Sequence, residues 1–581
     1  MIRILIVFLF LIVFGSSYVK GQGLVVTSVG YVVTSSMTVP SVSISGGGVL
    51  TIDPTFILTV TGDINFDALT GGSIVLQNGG SIYSSGNLYS GPYNSNTARG
   101  IISIASGSVF QISGNVIASN STAITISGGS FVCQKSIILG SNSGAGAASI
   151  TATQQASISC STFSPVVNSN SSLSLSSSTM TVSGSSSFCG MISLNASSLN
   201  MSQDLYTSTP CSFIMSNKGR LRVAGSFSNG VPTSVLFPNG SNPIIELNGT
   251  GIQNIYNNDP GNNLSLVNLI CSGSGSKLLY CNLSISDSLV LGNTQLQIQD
   301  DTLVVTSTDP GIITRGSGFV SIAYKEQGLF IRNTAQAADY LFPVGGLNAS
   351  GTLLYRPVLI TPYTSAAGSY SVNFETSIPY AHPISQTGSS IKTLNTNYYH
   401  KIDRELNSSP AVTISISFTP STDGSYASVA QWSPSANVWQ ALSNPTSVTT
   451  INGLMFVRIA QYNDFSQDDF ILASGGTSTA GSNASYAVLK KQLDGGYYLT
   501  VNQILYFKFK EEYTIQPNSI LNYIVYARDR STPATSTQPV YVNYGDNRFQ
   551  LDASVLISGN VYTLEVLNSK NEKWLLRFKV D

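Results

Sequence analysis

The sequence predicts an all-β chain: an N-terminal parallel β-solenoid (β-helix), then a β-sandwich-like region, then a C-terminal β-sandwich. Three observations predict it. The first is a loose internal repeat between about residues 45 and 225. Its cores read VLTID at 49, SIVLQ at 73, IISIA at 101, AITIS at 123, ASITA at 148, SLSLS at 172, MISLN at 191 and SFIMS at 212, at spacings of 24, 28, 22, 25, 24, 19 and 21 residues. The second is that most cores alternate apolar and polar side chains, the period-2 mark of a strand with one buried face. The third is the near-absence of charge. The 104 residues between Arg99 and Asp204 hold one charged side chain, Lys135, among Ser, Asn, Gly and Thr. Catalysis by acids and bases needs titratable groups, and this stretch supplies almost none.

The elements follow in chain order. Residues 1–21 read as an export signal. Arg3 opens it, Ile4 to Phe14 is apolar, and Val19 and Gly21 stand at the −3 and −1 positions of a cleavage before Gln22. The apolar run is short for a bilayer span, and no later segment predicts a transmembrane helix. Residues 22–335 form the solenoid with its cap. A second strand follows many cores (FILTV, VFQIS, TMTVS, RLRVA), so each unit predicts roughly two strands and two turns. Longer alternating runs such as LYCNLSISDSLVLG continue it. Residues 336–476 change character, with proline-marked turns and two of the three tryptophans. Residues 477–485 read as a linker. Residues 486–581 then carry a denser charge, with 20 charged side chains among 485–581 against 13 in 23–299, the mark of an independent domain.

Composition excludes some functions. Net charge is −1 and charged residues are 9% of 581, so no basic patch points to nucleic acid. Six cysteines occur in a chain marked for export. Cys271 and Cys281 flank a hairpin-like SGSGSKLLY and are the candidate disulfide. Cys133, Cys160, Cys189 and Cys211 are spaced near the repeat length and predict stacked thiols in successive coils. No CxxC pair supports zinc.

Catalytic groups are sparse. The two histidines, His382 and His400, lie in aromatic, turn-rich contexts without a nucleophile elbow, and read as structural. A carbohydrate-active β-helix, a polysaccharide lyase or hydrolase, is the alternative function. It needs carboxylates clustered with Lys or Arg on one face. Asp53, Asp63 and Asp67, and further on Lys218, Arg220, Arg222 and Glu246, fall in different coils. No catalytic, cofactor-binding or metal residue is therefore assigned. Asp300, Asp301, Asp468 and Asp469 are the candidate Ca2+ ligands, set against solvated turn residues. Tyr398, Trp432, Trp439, Phe465 and Phe470 predict core rather than sugar-stacking surface. Eleven N-x-S/T sequons, among them Asn120, Asn195, Asn248 and Asn348, matter only where asparagine is glycosylated.

Several motifs resemble large exported surface proteins of Bacteroidota. They are YLFPVGG at 340–346, YRPV at 355–358, YYHKIDRE at 398–405, GSYASVAQW at 424–432 and DFSQDDFILA at 464–473. The tail resembles their C-terminal β-domain through YAVLKKQLDGGYY, LYFKFKEEY, YGDNRFQLD and YTLEVLNSKNEKWLLRFKV. It departs from type IX tails where Asn560 and Val561 expand the tight G-x-Y. The resemblance implies secretion machinery of the type IX kind and an outer cell-surface or secreted location, and it brings no catalytic residues to carry over. The expected function is a non-catalytic spacer or adhesin whose partners are surface glycans or polysaccharide.

Overall fold

The computed structural model describes residues 21–475, except 68–69, 91–99, 119–120, 141–146, 166–170, 239–240, 260–262, 323–327, 349–351, 377–381 and 443–445. Within 498–579 it describes the backbone of seven strands. The export signal and the linker lie outside the described residues. The protein is all-β, with an N-terminal parallel solenoid of about 12 turns and mixed or antiparallel sheets after it. It folds as two compact units, residues 1–246 and 247–581.

In the first unit, each early coil contributes a strand to three parallel sheets. The first sheet stacks Leu24–Val26, Val42–Ile44, Ile64–Phe66, Leu88–Tyr89, Val116–Ala118, Ser136–Leu139 and Thr162–Pro165. The second carries the sequence repeat, from Gly48–Ile52 through Gly72–Leu76 and Gly100–Ile104 to Leu205–Ser216. The third holds the second strand of each unit, such as Ile57–Val60, Val109–Ile112, Thr179–Val182 and Arg220–Val223. The structure therefore adds a third strand to the two expected per coil. The first-sheet strands have two to four residues each, too few for alternation to be visible in the sequence.

Register follows the repeat. Val49 pairs with Ser73, Ser73 with Ile101, Ile101 with Ala123, and onward to Ser212. One core is offset: Ser149, not Ala148, opposes Ala123. Inward side chains form continuous columns, with Leu50, Ile74, Ile102, Ile124, Ile150 and Leu173 each at most 1% exposed. Each such side chain contributes roughly 1.5–3 kcal/mol by leaving water. A further column stacks Phe163, Phe188, Phe213 and Phe237 at ring-centroid spacings of 5.4, 6.3 and 6.2 Å. Coils approach closely at glycines. A Cβ on Gly72 would lie 2.3 Å from Ile44 Cγ2 and 2.7 Å from Gly48 O.

One corner carries a side-chain ladder. Asp63 Oδ1 accepts from Asn87 N at 2.7 Å, Asn87 Oδ1 accepts from Asn115 N at 2.8 Å, and Asn115 Oδ1 accepts from Ser136 N at 3.3 Å. These bonds occupy corner N–H groups where the chain leaves one sheet for the next.

The second unit opens with further parallel coils, pairing Gln253–Asn257, Lys277–Tyr280, Gln295–Ile298 and Phe319–Ile322. The strand Leu329–Thr334 ends them. It lies parallel to Thr302–Val305 on one side and antiparallel to Gly368–Glu375 on the other. Antiparallel sheets follow. One orders Tyr340–Phe342, Val358–Pro362, Val412–Phe418, Leu454–Tyr462 and Thr446–Ile451. Val412–Phe418 is buried at every residue, so both of its faces are covered. Tyr398, Trp432, Trp439, Phe465 and Phe470 are all at most 6% exposed, in the interior. Beyond 475 the strands form a three-stranded and a four-stranded antiparallel sheet, the pair a sandwich requires. The last strand, Lys573–Lys579, pairs along Val561–Leu567.

Candidate functional site

The second sheet of the first unit presents the most regular outer surface. Alternation that sends Leu50, Ile74 and Ile102 inward sends their neighbours outward. One outward column runs Thr51, Val75, Ser103, Thr125, Thr151, Ser174. Beside it run Val49, Ser73, Ile101, Ala123, Ser149 and Ser172. Neighbouring rungs are about 4.8 Å apart. No residue of this sheet between Gly48 and Ser216 is charged. An open groove of about 430 Å³ crosses it, bounded by Pro54, Gln77 and Asn78 on the turns and by Ser103, Thr125 and Ser127 on the strands. Its lining offers hydroxyl and amide donors and acceptors beside apolar Val75 and Pro54, and no titratable group. Such a surface can hydrogen-bond to uncharged polyols; it has no group that gives or takes a proton near neutral pH.

Of the sequence candidates for acid–base work, the structure brings Arg220, Arg222 and Glu246 together, while Asp63 and Asp67 are engaged elsewhere. Asp63 serves the corner ladder, and Asp67 Oδ2 accepts from Thr70 Oγ1 at 2.7 Å. Arg220 Nη1 and Arg222 Nε both bind Glu246 Oε2, at 3.0 and 2.8 Å, across neighbouring coils. Lys218 sits in the turn before them with φ 65°. His400 is fully buried and its Nε2 meets Arg356 O at 2.8 Å; burial pushes its pKa down to about 4. His382 stacks on Trp432, with ring centroids 4.3 Å apart.

The calcium candidates do not converge. Asp300 is exposed and Asp301 half-buried, while Asp469 is buried opposite Lys401 on the neighbouring strand. Burial pushes the Asp469 carboxyl up to about 6, with Lys401 acting against it. Among the described residues, no group of three or more His, Cys, Asp or Glu is placed to hold a metal ion.

All six cysteines are buried free thiols. Cys271 ends the strand Leu264–Cys271 opposite Leu291, whereas Cys281 follows the strand Lys277–Tyr280 and its Sγ lies 3.8 Å from Ile255 O. The two belong to different ladders, and the bond expected between them is not made in the structure. Cys133 follows Ile112 in its column, and Cys160 precedes Val182, one coil apart, as stacked thiols. Burial raises every one of these thiols.

Sequence reasoning missed one polar network. Arg356 Nε and Nη2 grip Asp423 Oδ2 and Oδ1 at 2.6 and 2.7 Å, and Tyr398 OH donates to the same carboxylate at 3.1 Å. Both Arg356 and Asp423 are buried. Residues 67 apart give no local spacing signal; the motifs YRPV, YYHKIDRE and GSYASVAQW pointed to that region but not to the pair.

No family model and no curated protein matches the chain. Among solved structures it is similar to the enzymatically active domain of tailspike protein 4 of bacteriophage CBA120, at 11% identity and a TM-score of 0.21. The match covers 74% of this chain and 63% of that one, less than two thirds of the neighbour's length. A likeness this distant assigns nothing to individual residues. Among the described residues, no helix is long and apolar enough to cross a membrane.

Proposed function

We propose that this protein is a non-catalytic exported surface protein, a stiff spacer or adhesin whose uncharged solenoid face contacts neutral glycans. One observation carries the reading: the second sheet keeps its outward columns free of charge from Gly48 to Ser216 while exposing hydroxyls on successive rungs. A linear neutral polysaccharide matches that surface in chemistry, since it offers hydroxyls and apolar ring faces but no charge. Delivery to the outer surface is assigned to the C-terminal strands, on the resemblance of residues 486–581 to type IX sorting domains.

The test is co-sedimentation of the full chain with insoluble neutral polysaccharides. The wild type is expected to sediment with at least one of them. The double variant Ser103→Glu, Thr125→Glu is expected to lose about tenfold in affinity, equivalent to about 1.4 kcal/mol. Equal sedimentation of the two sinks this face as the contact surface. Turnover of any of these polymers, abolished by replacing one acidic residue, sinks the non-catalytic reading. Surface labelling of intact cells tests delivery: a chain truncated after Ser569 lacks the strand Lys573–Lys579 and is expected to remain inside the outer membrane.

A further inference from the structure

The parallel coils of the second unit bury a lysine inside. Gln253 and Lys277 are direct partners on adjacent parallel strands, in a column that continues through Leu296 to Val320. Gln253 and Lys277 are both 0% exposed. Lys277 Nζ donates to Gln253 Oε1 at 2.5 Å and to Gly249 O at 3.1 Å. The Gly249 N–H donates to the same Oε1 at 2.7 Å. Among the described residues, none of the ion pairs reaches Lys277.

A buried ammonium without a carboxylate is costly, and burial accordingly lowers the lysine pKa to about 8. The neutral amine is thus within reach near neutral pH. Its Nζ donates to the oxygen of a carboxamide that the Gly249 N–H also holds, which supplies two elements of acyl transfer: an amine adjoining the carboxamide and a second donor at the carbonyl oxygen.

We propose that Lys277 and Gln253 join in an intramolecular isopeptide bond that ties two neighbouring coils together. The Nζ–Cδ bond forms and the Cδ–Nε2 bond breaks. The leaving ammonia departs as ammonium, carrying the proton that the lysine ammonium brought. Ammonium side chain plus carboxamide gives secondary amide plus ammonium ion, with no oxidant and no co-reactant. The product removes the buried charge, and it keeps a carbonyl oxygen and an N–H that can meet Gly249 N–H and Gly249 O.

Mass spectrometry of the purified full chain decides it. The expected result is a protein lighter by one ammonia, and a protease digest containing a branched peptide that joins the segment of Gln253 to the segment of Lys277. The branched peptide is the decisive readout, because an amino-terminal glutamine, as cleavage before Gln22 would leave, loses the same mass on cyclising. The Lys277→Met variant is expected to lack the branched peptide and regain the ammonia. A folded wild-type sample whose Gln253 and Lys277 peptides run separately and unmodified overturns the proposal, whatever the variant does.

Discussion

The coils of residues 24–229 and the antiparallel strands of residues 329–474 handle polar side chains in opposite ways. In the coils, alternation dominates. Most polar groups go outward or to the corners, where Asp63, Asn87 and Asn115 hand hydrogen bonds from one coil to the next, and an uncharged pair that goes inside, Thr207 and Asn229, is satisfied between adjacent coils. In the antiparallel region, charge goes inside. Arg356 and Asp423 meet in a buried bidentate pair, and Asp469 is buried beside Lys401. A stacked architecture repeats one local solution and can do without long-range charge pairs. A mixed sheet packing covers both faces of strands such as Val412–Phe418, and its polar groups must find partners far away in sequence.

The largest expected effect separates the two by how they tolerate a new charge. Ile124 is 1% exposed in an all-apolar column, with no partner for a carboxylate. Ile124→Asp is expected to cost about 5 kcal/mol in chemical unfolding, because the interior must take an unpaired charge or a proton. An unchanged midpoint would show that this column is not the solenoid interior. In the antiparallel region the damaging change is removal of a charge. Arg356→Met leaves Asp423 buried without its cation and is expected to cost about 4 kcal/mol. A loss below about 1 kcal/mol would mean that water or Tyr398 compensates, contrary to the buried geometry.

The third prediction uses pH. Burial raises the Asp469 pKa from 3.8 to about 6. The native state then binds this proton more tightly than the unfolded chain does. Its stabilising contribution is complete below the unfolded value and is lost as pH rises through about 6. At pH 7 the ionised group costs about 3 kcal/mol relative to its unfolded reference. Asp469→Asn removes the titration, so its stability relative to wild type is expected to rise between about pH 4 and pH 7. His400, lowered to about 4, acts with the opposite sign, its contribution being lost as pH falls from about 6.5. It is present in both proteins and cancels. A flat difference curve would place Asp469 in solvent.

The same contrast explains what the sequence disclosed. The solenoid was legible because one period fixes both strand and burial: the cores at 49, 73, 101, 123, 172, 191 and 212 start at equivalent positions on one sheet. The first-sheet strands were not legible, since Leu88–Tyr89 and its like are too short to show a period. The absence of charge pointed directly to the uncharged face. The Arg356–Asp423 pair and the Gln253–Lys277 contact were invisible, because neither spacing nor composition says which distant side chains a fold brings together. Asn87 and Asn115 looked like ordinary turn residues, and only their register across coils reveals the ladder.

That ladder gives the smallest expected effect and the sharpest local one. Asn87 donates through both its backbone N and its Nδ2 to Asp63 Oδ1, and accepts from Asn115 N. Asn87→Ala removes the acceptor of the Asn115 N–H and one donor to Asp63, but leaves the Asn87 N–H bond in place. The cost is expected to be about 1 kcal/mol, the net value of a hydrogen bond exchanged for water at a part-buried site. Asn115→Ala should cost less, because both bonds it loses, from Ser136 N at 3.3 Å and to Asn87 Oδ1 at 3.4 Å, are long. Because stacked coils couple mainly to their neighbours, the loss should stay local. Hydrogen exchange is expected to quicken at the Asn115 N–H in Asn87→Ala and at the Ser136 N–H in Asn115→Ala, while the inward columns on either side keep their protection. A loss of protection spread evenly over the whole unit would show that the corners, like the buried Arg356–Asp423 pair, carry global rather than local stability.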